Sequence, residues 1–247
     1  MSQSSASRRE FLQLSAALSL AACASHESAR TANSVAEEKS PGDPLERRKF
    51  GKTDMKVAVL GFGGAEIGFE KTDKATVTKL LNAALDAGLN VVDTAECYLD
   101  SEIAIGETIG ARRKEFHLFT KCGHIKPDGS RGDDWSKEGV QKSVERSLKR
   151  LNTEVIDLVL LHTCSLDELK KGACIEGLEA AKKQGKTRYI GYSGDSLTAK
   201  WAVESGCFDA LQTSVNIADQ ECIDLALPLA KEKQMGVIAK RPIANAV

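Results

Sequence analysis

The sequence predicts an α/β fold built on a parallel β-sheet, and two observations support this prediction. From Phe50 onward, short apolar runs alternate with helical patterns, and the alternation repeats seven times without hairpin signals between the runs. The 247 residues are 42% hydrophobic and 28% charged, which is typical of one globular domain. The alternation permits either a (β/α)8 barrel or a doubly wound sheet, because the same repeating unit builds both.

A glycine-rich turn helps to distinguish a (β/α)8 barrel from a doubly wound sheet. Doubly wound sheets that bind dinucleotides carry a G-x-G-x-x-G turn in a compact βαβ unit, with an acidic residue at a set distance. Residues 61–68 contain only a loose version of this turn, and no such unit follows it convincingly. The turn is therefore weak support for the doubly wound sheet.

Seven apolar runs rich in β-forming residues are the predicted strands. They are Val57–Leu60, Asn90–Val92, Phe116–Phe119, Val155–Leu161, Arg188–Ile190, Ala210–Gln212 and Gly236–Ala239. The segment 47–57, which leads into the first run, could instead form a short hairpin around Thr53 and Asp54.

Helical patterns with one apolar face lie between the predicted strands. The first covers Thr76–Ala87 and stops at Gly88, a residue type common just after helices. The second covers Val140–Leu151, with Ser136 as its candidate N-cap, and the third covers Ile175–Lys183.

Residues 1–23 are predicted to be an export signal. Arg8 and Arg9 precede an apolar run over Leu12–Ala22, which is too short to span a bilayer as a stable helix. The arginine pair resembles the twin-arginine signal, and the sequence ending at Cys23 resembles a bacterial lipobox, in which the cysteine carries a lipid anchor. The polar residues 24–45 predict a flexible linker. We therefore expect an exported bacterial protein, periplasmic or anchored to the membrane as a lipoprotein, with its folded domain over 46–247.

Charge and cysteine content argue against two classes of function. The 34 Lys and Arg residues balance 35 Asp and Glu residues, so the protein has no strong positive electrostatic field that would attract nucleic acid. The seven cysteines form no CxxC pair, so no metal site is predicted, and they are expected to be mainly small buried hydrophobic residues.

Three consecutive predicted strands end in an ionisable residue. Asp93, Lys121 and His162 each follow an apolar run, and Tyr98 lies in the loop five residues after Asp93. In a barrel, the carboxyl ends of the strands face one mouth, where active sites are built. Each residue alone has a structural explanation, but their joint placement favours the barrel and a candidate active site.

These four side chains suit proton transfer in carbonyl chemistry. A phenol is a poor acid at neutral pH, and a nearby ammonium and imidazole are expected to lower the pKa of Tyr98. Asp93 would keep Lys121 charged and oriented. Tyr98 and His162 would bind an oxygen atom as negative charge develops on it.

Four motifs around these residues occur in register between about Arg47 and Pro242. They are a D-T-A-x-x-Y pattern ending at Tyr98, a T-K pair ending at Lys121, an S-L-x-x-L…D-L…H block ending at His162, and a G-K-x-R-x-I-G-x-S block ending at Ser193. Together they resemble the signature of the aldo-keto reductase family, whose members are (β/α)8 barrels.

The resemblance implies an NADP(H)-dependent oxidoreductase that reduces small-molecule aldehydes or ketones to alcohols. By this resemblance Tyr98 is the general acid, and Asp93, Lys121 and His162 are its partners. The cofactor carries the hydride, and the protein supplies position and electrostatics.

Six residues are candidates for binding NADP(H). They are Ser193 and Gln212, which would hold the nicotinamide carboxamide, with Lys240, Arg241, Gly63 and Gly64. Two positions depart from the family pattern: Gly194 replaces a frequent asparagine, and Lys240 replaces a frequent aromatic residue, where a cation near the diphosphate is a plausible substitute.

The resemblance also implies that the (β/α)8 barrel is incomplete. The chain reaches Val247 just past the seventh predicted strand, so we expect the eighth strand and the basic residues for the adenosine 2′-phosphate to be missing.

Two other functions stay open. One is a catalytically impaired nucleotide-binding or interaction module of the same family, and the other is a barrel hydrolase that uses Asp93 and His162.

Overall fold

A curled, seven-stranded parallel sheet forms the centre of the fold. The computed structural model describes residues 45–244, and in it each strand of this sheet pairs with the next one along the chain. This arrangement is a half-barrel that matches an incomplete (β/α)8 barrel, which confirms the predicted fold class. The predicted export signal (1–23) lies outside the described residues, and so does the predicted linker (24–45) apart from its last residue. Both therefore stay predictions. Within residues 45–244, no helix has the length and apolarity needed to cross a membrane.

From β3 onward, the strands alternate with one or two α-helices along the chain. The strands are β1 Arg47–Lys49, β2 Lys56–Ala58, β3 Phe62–Gly63, β4 Val91–Asp93, β5 His117–Cys122, β6 Ile156–His162, β7 Thr187–Ser193, β8 Ala210–Ser214 and β9 Gly236–Lys240. The α-helices are α1 Ala65–Phe69, α2 Lys74–Asp86, α3 Ser101–Ile109, α4 Lys137–Arg150, α5 Leu166–Lys171, α6 Ala173–Lys183, α7 Ser196–Ser205, α8 Glu221–Leu225 and α9 Leu227–Glu232.

The first predicted strand was wrong, and the alternative hairpin is what the structure shows. Instead of a parallel strand over Val57–Leu60, β1 and β2 form an antiparallel pair. The Asn90 side chain fixes this hairpin, since its amide oxygen accepts from the Ala58 N–H at 2.6 Å and its amide nitrogen donates to the Lys56 carbonyl at 2.9 Å. The first parallel strand is the two-residue β3, which pairs with the end of β4.

Two hydrophobic clusters lie on the two faces of the parallel sheet. Strand β6 illustrates the division: Leu158 and Leu160 join a cluster with Phe50 and Met55 of the hairpin segment, while Val159 joins the larger cluster with the helices. All five side chains are buried. Full burial of such a side chain contributes about 1.5–3 kcal/mol, so a strand that is apolar on both faces is held strongly in the centre of the sheet.

The residues at the helix ends have the capping roles that the sequence predicted. The Ser136 hydroxyl accepts from the Gly139 N–H at 3.0 Å, which confirms Ser136 as the N-cap of α4. Gly88 has φ of +90° directly after α2, a conformation that glycine adopts without the steric cost of a Cβ. Helix α2 begins two residues earlier than predicted because Asp73 caps it.

A buried carboxylate joins the amino ends of the central strands. Asp157 of β6 accepts from Arg113 at 2.7 Å, from Arg188 at 2.7 Å and from the Leu118 N–H at 2.9 Å. Burial alone would raise the pKa of Asp157, but hydrogen bonding with His117 and the charge of Arg113 hold that pKa well below its usual range.

We expect Asp157→Asn to destabilise the fold by on the order of 3 kcal/mol, because two arginines would lose their buried carboxylate. Urea unfolding at neutral pH measures this change. Since the pKa of Asp157 is depressed in the folded state, its contribution is complete above the unfolded pKa near 4 and is lost as the pH falls below it. The stability difference between the two proteins should therefore shrink in acid, and a pH-independent difference would contradict the electrostatic explanation.

Candidate active site

The carboxyl ends of two neighbouring strands place an ion pair at one mouth of the half-barrel. Lys121 of β5 donates to the Asp93 carboxylate at the end of β4 and to the Thr94 carbonyl, both at 2.7 Å. The Lys121 side chain is almost fully buried, whereas Asp93 retains partial exposure. A buried ammonium is costly unless it is paired, and these two acceptors supply that pairing and fix the direction of the Lys121 side chain.

Tyr98 and His162 lie beside this ion pair. The Lys121 ammonium is 5.1 Å from the centre of the Tyr98 ring, and the ring of His162 at the end of β6 meets the Tyr98 ring edge-on at 5.7 Å. The structure therefore brings together all four predicted catalytic residues, although they come from three strands and one loop. Parallel pairing alone puts three of them at the same end of the sheet.

The electrostatics of Tyr98 differ from the expectation. Burial raises the pKa of Tyr98 above its ordinary value, and the positive charge of Lys121 offsets only part of this rise. The expected lowering was therefore wrong for the free protein, because burial depends on the packed structure. Tyr98 accordingly holds its proton throughout the neutral range.

His162 is a neutral imidazole in this site. Burial is the largest cause, and together with the nearby cations, Lys121 first among them, it lowers the pKa of His162 to about 2. A neutral imidazole carries one N–H donor and one nitrogen acceptor. His162 can therefore donate a hydrogen bond without bringing a positive charge.

The predicted carboxamide-binding residues lie on the next two strands. Ser193 and Gln212 are opposite each other in the sheet register, and the Ser193 hydroxyl donates to the Gln212 amide oxygen at 2.9 Å. The Gln212 amide nitrogen donates to Asp93 at 3.1 Å. The other carboxylate oxygen of Asp93 is buried and has no hydrogen-bond partner within residues 45–244. A chain of polar contacts thus runs from Ser193 to Lys121.

Lys240 and Arg241 follow at the edge of the sheet, where β9 ends. The Lys240 ammonium is 3.0 Å from the Asp195 carboxylate, which also accepts from the Ser214 N–H at 2.7 Å. Both cations lie near enough to the mouth to contribute to the lowered pKa of His162. Asp195, which the sequence reasoning missed, therefore fixes the direction of one of these two cations.

The three glycines of interest have different surroundings. A Cβ at Gly63 would meet no atom within 4 Å, whereas a Cβ at Gly64 would approach the Ser101 hydroxyl to 2.9 Å. Gly64 is thus explained by close packing against α3. A Cβ at Gly194 would come within 2.3 Å of the Tyr192 hydroxyl, so a larger residue here would require the Tyr192 side chain to move.

Aromatic side chains from helix α1 and from the loop after β5 lie at the same mouth. Phe69 contacts the Tyr98 ring at 5.4 Å, and His124 contacts the His162 ring at 5.0 Å and the Trp135 ring at 5.4 Å. His124 and Trp135 belong to the segment 123–136 between β5 and α4. The sequence reasoning missed these residues, and the only signal was an aromatic residue and a histidine in a loop that follows a catalytic strand end.

A buried carboxyl group lies behind the mouth. Glu102 of α3 accepts from the Thr120 hydroxyl at 2.6 Å, while its other oxygen and the Ser147 hydroxyl have no hydrogen-bond partner in the part of the chain that the structure describes. Burial is the largest cause that raises the pKa of Glu102 to about 7.

We expect Glu102→Gln to stabilise the protein above pH 7 by up to about 3 kcal/mol, because a raised pKa means that the fold prefers the neutral side chain. In the wild type, the contribution of Glu102 is greatest below pH 4.5 and is lost as the pH rises to about 7. Urea unfolding at pH 5 and pH 8 measures this, with the exposed Glu107→Gln on the same helix as control. Equal stabilities of Glu102→Gln and wild type at pH 8 would contradict the prediction.

A further cleft opens at the amino ends of the strands, lined by Arg47, Asn90 and Arg188 among others. It lies at the opposite end of the sheet from Lys121 and His162, and in barrels that end is devoted to stability. No group of acidic, histidine and cysteine side chains suited to a metal ion occurs within residues 45–244.

Comparisons with known proteins give a consistent result. A family model described as "Aldo/keto reductase family" matches residues 59–247. The chain is 32% identical over 206 residues to "Uncharacterized oxidoreductase YqkF" of Bacillus subtilis (strain 168) and 32% identical over 216 residues to "L-galactose dehydrogenase" of Arabidopsis thaliana. In both comparisons 81% of the chain matches, and the chain spans 66% of the length of the relative. A solved structure described as "aldo-keto reductase AKR11C1 from Bacillus halodurans (holo form)" superposes with a TM-score of 0.73 at 30% identity, covering 82% of this chain and 68% of that one.

Proposed function

The chain belongs to the aldo/keto reductase family of oxidoreductases, and from this premise we propose that it is an NADP(H)-dependent reductase that converts aldehydes or ketones to alcohols, with Tyr98 as the general acid. The observation that carries the proposal is the meeting of Tyr98, His162 and the Lys121–Asp93 pair at one mouth. A hydroxyl donor, a neutral imidazole and a buried ammonium in one place suit the reduction of a carbonyl group.

Tyr98 and His162 bind the carbonyl oxygen of the substrate in this proposal. Both are neutral donors at neutral pH, and their rings are in edge-on contact, so the two donors can reach the same oxygen. NADP(H), when bound, supplies the hydride to the carbonyl carbon. Tyr98 gives its proton to the oxygen as negative charge develops there.

Lys121 stabilises the Tyr98 phenolate that proton transfer leaves behind. Its charge favours the ionised phenol, and it is the largest influence that lowers the pKa of Tyr98. Asp93 and the Thr94 carbonyl hold the Lys121 ammonium in place. Binding interactions that strengthen as charge develops are the ones that accelerate the reaction.

The residues of the mouth fit a nicotinamide nucleotide. Ser193 and Gln212 are buried on neighbouring strands beside Asp93, and their hydroxyl and amide groups match the donors and acceptors of a carboxamide. Lys240 and Arg241 supply two cations at the same end of the sheet, which suits a diphosphate. On binding, the Ser193–Gln212 contact would be exchanged for contacts with the carboxamide.

The experiment that tests the proposal measures nucleotide binding and turnover separately. Quenching of NADPH fluorescence reports binding, and the loss of NADPH absorbance with a generic aldehyde reports reduction. We expect both. Binding without oxidation would favour the impaired nucleotide-binding module instead, and hydrolytic activity without nucleotide would favour the hydrolase.

A further inference from the structure

Cys97 contacts the candidate catalytic histidine. Its Sγ lies 3.4 Å from Nδ1 of His162, across 65 positions of sequence. Cys97 immediately precedes Tyr98, and its side chain is half-buried. The proposed reaction uses Tyr98, His162, Lys121 and Asp93, and it gives this thiol no role.

The backbone around Cys97 is held by four hydrogen bonds. Arg131 donates to the Cys97 carbonyl at 2.6 Å, and Arg150 donates to the Glu96 carbonyl at 3.1 Å. The Glu96 N–H donates to the Lys121 carbonyl at 3.1 Å, and the Tyr98 N–H donates to the Ala95 carbonyl at 3.0 Å. The thiol is therefore held next to the imidazole by the loop itself, on both sides of Cys97.

The direction of the thiol–imidazole hydrogen bond follows from the charge states. Burial raises the pKa of Cys97, so the group is a neutral thiol at neutral pH, and the imidazole of His162 is neutral as well. Thiol sulfur is a weak acceptor, whereas the bare nitrogen of a neutral imidazole is a good one. The favourable arrangement is S–H of Cys97 donating to Nδ1 of His162.

This arrangement decides which ring nitrogen keeps the hydrogen. If Nδ1 accepts, the hydrogen of the neutral ring is on Nε2. Nε2 has no hydrogen-bond partner among residues 45–244, so it remains available to a ligand. The opposite tautomer would present a bare acceptor to the carbonyl oxygen, and two acceptors repel.

We propose that Cys97 is a positioning residue that holds His162 in the tautomer with its hydrogen on Nε2, ready to donate to the carbonyl oxygen of the substrate. The catalytic consequence rests on the proposed function, but the tautomer itself does not. An experiment can therefore contradict the proposed reductase function without contradicting the proposed tautomer of His162, and the reverse.

Three variants test the role of the thiol. Cys97→Val removes the donor and keeps a similar volume, Cys97→Ala removes it with less volume, and Cys97→Ser restores a donor as a hydroxyl. Cys207→Ser is the matched control, because Cys207 is also half-buried but its thiol contacts the Ser205 carbonyl at the end of α7.

The first measurement is the ¹⁵N NMR spectrum of the histidine ring nitrogens. The sequence has 4 histidines, and the signals that His162→Asn removes belong to His162. We expect the Nε2–H tautomer in the wild type, in Cys97→Ser and in the control. In Cys97→Val and Cys97→Ala, the Nδ1 signal should move to the position of an unbonded nitrogen. An Nδ1–H tautomer in the wild type, or unchanged His162 signals in both variants without a donor, would overturn the proposal.

The second measurement is steady-state reduction of an aldehyde with NADPH. Removing a group that orients a catalytic side chain typically costs tenfold or more, so kcat of Cys97→Val should fall about tenfold with little change in KM. Cys97→Ser should recover most of the loss. Equal loss in Cys97→Ser and Cys97→Val, with wild-type ring signals in Cys97→Ser, would show that only packing matters and would refute the positioning role. If the wild type reduces no carbonyl compound, the proposed function fails, while the NMR result still decides the tautomer.

Discussion

Tyr98→Phe should lower kcat/KM for carbonyl reduction by about a thousandfold, because general-acid catalysis by a positioned side chain contributes factors of this size. The substitution removes one hydroxyl group and leaves a ring that still fills the space between Phe69 and His162. The affinity for NADPH should stay nearly unchanged, since the proposed carboxamide and phosphate contacts come from other strands. Stopped-flow and steady-state NADPH oxidation measure the first effect, and fluorescence titration measures the second.

The control for this variant is Tyr189→Phe. The Tyr189 hydroxyl donates to Asp54 at 3.0 Å, away from Lys121 and His162, so the same chemical change there should leave turnover intact. The pH dependence gives an independent check. Because the pKa of Tyr98 is raised, the wild type should keep its reductase activity through neutral pH and lose it only as alkali deprotonates the phenol. Unaltered turnover in Tyr98→Phe would remove this residue as the acid.

Lys121→Met should also lower kcat/KM by at least about a hundredfold, because it removes the charge that stabilises the Tyr98 phenolate. Without the ammonium, the pKa of Tyr98 should rise further, so the alkaline loss of any residual activity should move to higher pH. The variant also leaves the Asp93 carboxylate without its cation, and breaking a buried pair in this way costs about 3–5 kcal/mol of stability. Urea unfolding and a pH series of NADPH oxidation measure these effects.

The control for this variant replaces a lysine outside the candidate active site, so that an effect specific to Lys121 can be distinguished from the loss of any lysine. Lys142 of α4 is exposed and pairs with the exposed Glu138 one turn away, so Lys142→Met should change neither stability nor turnover appreciably. The double variant Lys121→Met/Asp93→Asn should recover part of the stability of Lys121→Met, since it also removes the unpaired carboxylate. If Lys121→Met kept wild-type kcat, the ammonium would have no part in proton transfer.

The sequence predicted the strand ends well because their placement follows from connectivity. Parallel strands joined by helices must present their carboxyl ends on one side, so Asp93, Lys121 and His162 could be placed together before any coordinates were known. The same reasoning failed at Val57–Leu60. An apolar run of four residues does not distinguish a parallel strand from one arm of a hairpin, and Asn90, more than thirty residues away, fixes the hairpin.

The loops around the mouth carried no comparable pattern. His124, Trp135 and Cys97 lie in irregular segments, where neither a helical nor a strand period constrains the direction of a side chain. Their contacts with His162 and with each other depend on how these segments cross the end of the sheet. The contact between Gln212 and Asp93, 119 residues apart, depends on the curvature of the sheet in the same way.

What the sequence by itself determined is therefore the repeating α/β order, the family and the residue types that meet at the mouth, because periodicity and motif spacing are local properties of the chain. The tertiary structure decided the protonation of those residues. Burial raises the pKa of Tyr98 and lowers that of His162, and the cost of placing a charge in a packed interior depends on every atom around it.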